Sequence, residues 1–317
     1  MARRNLARTS SGAAVVALLL AARAGCDTGQ QADRDASAAD SHADTRAALL
    51  AAGDADSLEA AALLTPKNLS VERLELVSRA AAAAPARPDL AWLALQSCIQ
   101  AESCDVTPRE AGLRAVDPGN SAAWMGTLAR AAAGTPQLRA SLAGIADSAR
   151  FDIYWNPLIV HVADALERTK TMEDREAIVL AIGLAAAQAI PALQQMSRGC
   201  GDAAHAQPAD PGICRKLSAV LRHSDTAIVE GLGLSIALRV WPASSDEYRR
   251  AADEIRVLHF RMRQPGEWSS VATSDERAKR YLRQLATHRT EQEALVADLI
   301  SAGIDPSPPA GWTDPAS

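Results

Sequence analysis

Helix starts are marked in this chain more plainly than any other feature. Thr107-Pro108-Arg109-Glu110 sets a capping hydroxyl, a proline at the first helical position and a glutamate three residues past the cap. Thr135-Pro136 repeats the threonine-proline start, and Ser244 with Glu247, Thr273 with Glu276 and Thr290 with Glu293 have capping-box spacing. Stops fall at Ala84-Pro85, Ala133-Gly134, Trp241-Pro242 and Ala302-Gly303, so helices of about 10 to 18 residues joined by short turns are expected. Between these marks apolar residues recur at three and four, as in Tyr248, Ala251, Ile255, Leu258 and Met262, while period-two β-branched runs are absent. Such a chain is all-α, and its short connections make antiparallel neighbours.

Residues 46–170 are expected to form a helical-repeat region, 171–304 a second helical block, and 305–317, DPSPPAGWTDPAS, a Pro-rich tail with Trp312 as its anchor. Trp92, Trp124 and Trp155 stand 32 and 31 residues apart, each near the start of a helical segment. Ala140 supplies a small residue in the following helix, Gly144 stands where such a repeat carries an aromatic, and DPGN at 117–120 reads as a turn between repeats. This stretch resembles a degenerate array of tetratricopeptide repeats, which implies stacked antiparallel helical hairpins, an α-solenoid. The alternative is an irregular helical protein in which the three tryptophans are separate core residues. In the second block EAIVLAIGLAAAQAI reads as a helix buried on most sides, and GCGDAAHAQPADPGIC as a loop.

The first residues have the three parts of an export signal: Arg3, Arg4 and Arg8, then an apolar run over 13–22. That run is too short to span a bilayer, which takes about 20 residues. Ala24-Gly25-Cys26 resembles the lipobox of bacterial lipoproteins, with Arg23 at the position that is usually aliphatic. The resemblance implies a signal peptide over 1–25, acylation of Cys26, and a polar tether over 26–45 holding the chain to a bacterial membrane in the periplasm. The alternative small-x-small site, Ala22-Arg23-Ala24, would release a soluble periplasmic protein. With Cys26 set aside, four of the five cysteines remain, and chain proximity favours Cys98 with Cys104 and Cys200 with Cys214 among three possible pairings. A four-cysteine zinc site is the rival, but spacings of five and thirteen residues do not make its knuckles.

No reaction motif emerges. The six histidines form no H-E-x-x-H, no phosphate-binding glycine loop occurs, and Ser235 in GLGLSIAL lies on a helix, where a nucleophile elbow needs a preceding strand. His161 reads as a core histidine, and no glutamate stands in an obviously apolar setting. The acidic residues of ERTKTMEDRE and DEYRRAADEIR alternate with arginines as solvated, paired faces do. A net charge of −5 gives no basic surface for nucleic acid. The expectation is therefore a non-enzymatic binding or scaffold module for a protein or peptide, with no cofactor and no metal. The alternative is a cell-envelope (peptidoglycan) hydrolase whose catalytic carboxylate is unidentified.

The anchor has a direct test. Intact mass of the membrane-fraction protein is expected to show a chain that begins at an acylated Cys26; a chain beginning at Gly25 without lipid overturns it.

Overall fold

The computed structural model describes residues 42–101, 103–188, 190–201, 210–264 and 271–313. The export signal, Cys26 and the tether up to residue 41 lie outside them. The described residues form fifteen α-helices and no strand. They are α1 (Ala43–Ala52), α2 (Ala55–Leu64), α3 (Ser70–Ala83), α4 (Pro88–Gln100), α5 (Thr107–Val116), α6 (Met125–Arg130), α7 (Pro136–Ala146) and α8 (Trp155–Thr169). There follow α9 (Asp174–Ala186), α10 (Leu193–Gly199), α11 (Pro211–Leu221), α12 (Ala227–Val240), α13 (Asp246–Met262), α14 (Asp275–Thr287) and α15 (Glu291–Ser301). The chain is all-α, and α1 already begins within the last residues expected to be tether.

Side-chain caps place several of the helix starts. Thr135 accepts from the Leu138 N–H, and Thr290 with Glu293 completes a reciprocal capping box at the start of α15. Elsewhere the helix start is displaced by one residue or the N–H is taken by a neighbouring polar residue. Ser245, not Ser244, caps α13, and Ser274, not Thr273, precedes α14. At α5 Thr107 is itself helical and its N–H is taken by Asp105 at 2.9 Å. Adjacent polar residues compete for one orphan N–H, and the winner is set by the rotation that buries the apolar face. In α13 that rotation buries Ala251 and Leu258, half-buries Tyr248 and Ile255, and leaves Met262 exposed.

Consecutive helices pack on one another through most of the chain, including α1 on α2, α2 on α3, α3 on α4, α8 on α9 and α11 on α12. A stack of hairpins would touch only its neighbours. Here α8 also packs against α1, α2 and α14, and α7 against α11. Two large cores result. One joins α1 to α4 with α8, α9 and α14; the other joins α4 to α7 with α10, α11 and α12. The helix α4 separates them, giving Leu90, Leu93 and Ala94 to the first and Trp92, Leu95 and Cys98 to the second. A helix apolar on both sides belongs inside. The α9 helix, expected to be buried on most sides, instead buries Ala177, Ile178, Ala181, Ile182 and Ala185 on one face and exposes Val179.

The local cysteine pairings form: Cys98–Cys104 and Cys200–Cys214, with Cα atoms 5.2 and 5.5 Å apart. Cys98, Cys200 and Cys214 are buried in the second core. Such bonds fit an oxidising, exported compartment. Among the described residues no helix is long and apolar enough to cross a membrane. The tail runs back over α13, where Trp312 meets Phe260 edge-on at 5.4 Å and Arg261 donates to the Pro306 carbonyl.

Gly144 sits under the Trp124 ring, where a Cβ would come within 2.4 Å of the indole. Gly183, also helical, has open space around it. Gly183→Ala is therefore expected to stabilise by about 0.5–1 kcal/mol, the ordinary gain of alanine in a helix. Gly144→Ala is expected to destabilise by about 1–3 kcal/mol through overpacking. Denaturant midpoints of the two variants check this opposition of sign.

Candidate functional site

The segment between α7 and α8 is neither helix nor strand; Arg150 exchanges backbone bonds with Gly119 and Ser121, and side chains take up the backbone groups that follow. Tyr154, just before α8, adopts left-handed backbone with φ 60° and ψ 41°, which costs a non-glycine residue about 1–2 kcal/mol. Its neighbours hold it there. Asp225 Oδ1 accepts the Ile153 N–H and Oδ2 the Trp155 N–H, both at 2.9 Å. Asn120 donates to the Asp152 carbonyl and the Tyr154 hydroxyl and accepts the N–H groups of Ala122 and Asp152. The Tyr154 hydroxyl donates in turn to Asp117 at 2.5 Å. Burial, then the bond to Asp117, raise the tyrosine's pKa, so the phenol stays protonated.

Arg150, Asp152 and Arg289 extend this junction towards the surface. Arg150 donates to both Asp117 and Asp152, and Arg289, at the start of α15, donates to Asp152 at 2.9 Å and to the His223 carbonyl. They rim a cavity of about 460 Å³ between the start of α8 and the end of α14. Its polar wall also holds Tyr154, His161, Asp225 and His288; its apolar wall is Pro157, Val160, Leu285 and Ala286. Burial, then the nearby charge of Asp152, push Asp225 up to about 7 although two backbone N–H groups donate to it.

His161 also belongs to a second cluster. Arg87, at the turn before α4, pairs with Asp56, Glu59 and Asp89. The His161 Nδ1 lies 3.1 Å from Asp89 and touches the same guanidinium. Burial alone would raise Asp89, but bonds from His161 and Arg87 outweigh it and hold this carboxyl at about 2. Glu59 is fully buried: burial, then the charge of Asp89, raise it well above the usual carboxylate range, and its Oε1 has no partner. One oxygen from each of Asp56 and Glu59 and one nitrogen of His161 lie within 4.8 Å of one another.

These positions correct the sequence reading. His161 is not a core histidine; it is half-exposed at 32% and faces carboxylates at the cavity edge. A glutamate in an apolar setting does exist, at Glu59. Its trace in the sequence is one charge inside the run SLEAAALL. Asp225 in SDTAIV, which the sequence reading did not single out, serves the start of α8, 70 residues away. Cys98, Cys104, Cys200 and Cys214 line no part of the cavity, and Cys26 lies outside the described residues. The expected exposed pairs do occur on α13, as Arg249 with Asp246 and Arg250 with Glu247.

Removing the Tyr154 hydroxyl leaves Asn120 and Asp117 each one partner short, so Tyr154→Phe is expected to cost about 1–3 kcal/mol, read from chemical unfolding. The buried acids also set a pH dependence. Asp225 and Glu230 are raised to about 7 and Glu291 to about 6, each primarily by burial. In that window the folded chain binds more protons than the unfolded one, so stability falls as pH rises from about 4 to about 7 and the contribution of these acids is fully lost above it. Melting temperature across this range is expected to show the decline, with a shallower slope in Glu230→Gln. No protein-family model, no curated protein and no solved structure matches this chain.

Proposed function

We propose that the chain is an exported helical binding module, anchored to a bacterial membrane through acylated Cys26 and facing the periplasm, that takes a segment of a protein or peptide partner into the cavity beside α8. The observation that carries this reading is the make-up of that cavity. Opposite charges, Arg150, Arg289 and Asp152, stand beside an apolar wall of Pro157, Val160, Leu285 and Ala286. Extended peptide carries the same two kinds of surface: main-chain and side-chain polar groups next to apolar side chains. The charged groups are held by one another, which fixes their positions before any ligand arrives and lowers the entropy cost of binding. The helical-hairpin reading of the N-terminal half belongs with this proposal, since such layers commonly present concave binding surfaces. The location is supported by cysteine use: four cysteines close local disulfides, which leaves Cys26 as the odd one beside the export signal.

A second reading, an envelope hydrolase acting on cell-wall polymer, draws on one observation: Asp225 lies in the cavity wall with its pKa near neutrality. A raised carboxyl in a cavity is what general acid catalysis uses. Against it, both oxygens of Asp225 already accept backbone N–H groups, so the carboxylate acts on its own chain.

Crosslinking in the native envelope separates the two. The wild-type chain is expected to capture a discrete partner that is lost in Arg289→Glu and in Val160→Arg, both of which alter the cavity wall, with the helical circular dichroism retained. Failure to capture a partner, together with clearance of cell-wall material that Asp225→Asn abolishes, overturns the binding module in favour of the hydrolase.

A further inference from the structure

We propose that Asp56, Glu59 and His161 form a binding site for a divalent transition cation of the zinc class, in which the Arg87 guanidinium is a resident counter-ion that the metal displaces. Two carboxylates and an imidazole are a ligand set such ions accept, and the three ligand atoms already lie within 4.8 Å of one another. They come from rigid elements. Asp56 and Glu59 are three residues apart on α2, hence on one face, and His161 is presented by α8, which packs against α2.

Three features argue for a ligand beyond the arginine. First, Glu59 is 0% exposed and its Oε1 has no hydrogen-bond partner. A buried carboxylate oxygen without a partner is costly, and the guanidinium satisfies only the other oxygen. Second, a single guanidinium faces the carboxylates of Asp56 and Asp89 beside Glu59, so a dication compensates their charge more fully. Third, the His161 Nδ1 touches the Arg87 guanidinium, so a cation that takes the guanidinium's place meets a ring nitrogen. Arg87 has a way out, because it sits in a turn and its side chain is 22% exposed. The metal has a way in, because His161 also lines the cavity.

The site is tested on the purified full chain, stripped with chelator and titrated with Co²⁺ as a spectroscopic stand-in for zinc. Wild type is expected to bind one equivalent, seen as visible d–d absorption and competed away by Zn²⁺. Asp56→Asn and His161→Ala are each expected to weaken binding by about tenfold or more, and Arg87→Gln to tighten it by removing the competing cation. Asp56 is partly exposed, so its variant is expected to keep the helical signal even if Arg87→Gln unfolds. Absence of binding by wild type overturns the proposal, and so does binding that appears only once Arg87 is removed. Binding by wild type that is unchanged in both Asp56→Asn and His161→Ala overturns it as well.

Discussion

The start of α8 depends on one carboxylate. Asp225 reaches from the turn before α12 to accept the Ile153 and Trp155 N–H groups, and between them Tyr154 is held in a backbone region that non-glycine residues avoid. The contact places α8 in the middle of the molecule, with α1, α2, α9 and α14 around it. It also ties remote parts of the chain together. The main chain of Asp225 accepts the Glu291 N–H, and the Glu291 carboxylate accepts the Ala227 N–H. The starts of α8, α12 and α15 thus meet in one hydrogen-bonded junction, and the cavity lies beside it.

The polar interior has a division of labour. Around Asn120 every donor and acceptor is used: two N–H donors, and one oxygen accepting twice. That part is structural and closed. Around Arg87 the balance is incomplete, with carboxylates in excess and Oε1 of Glu59 orphaned. Complete networks specify a unique packing, whereas an incomplete one has affinity left over for something else. His161 stands where the incomplete cluster meets the cavity wall.

Much of the helical punctuation was legible because it is local. Thr135-Pro136 and Thr290 with Glu293 act within three residues of the helix start, whereas Pro211, inside the stretch read as a loop, already begins α11. The disulfides were legible for the same reason, since short loops bring Cys98 to Cys104 and Cys200 to Cys214. Of the candidate site little was visible. Gly144 stands where a tetratricopeptide repeat carries an aromatic, and the physical reason was hidden: the Trp124 indole occupies the space of its missing side chain. Glu59 is one charge in an apolar run, and nothing in that run says that Arg87 lies opposite.

By itself, then, the sequence determined the all-α class and several helix boundaries, because capping, proline geometry and the 3.6-residue period are interactions between near neighbours. The tertiary structure decided which faces meet: α8 against both α2 and α14, α4 between two cores, Asp225 beneath Tyr154, and Arg87 among Asp56, Glu59 and Asp89. Those partners are separated by tens of residues. Burial is what shifts their pKa values and gives the unpaired oxygen its cost, and burial belongs to the packed chain as a whole, not to any stretch of it.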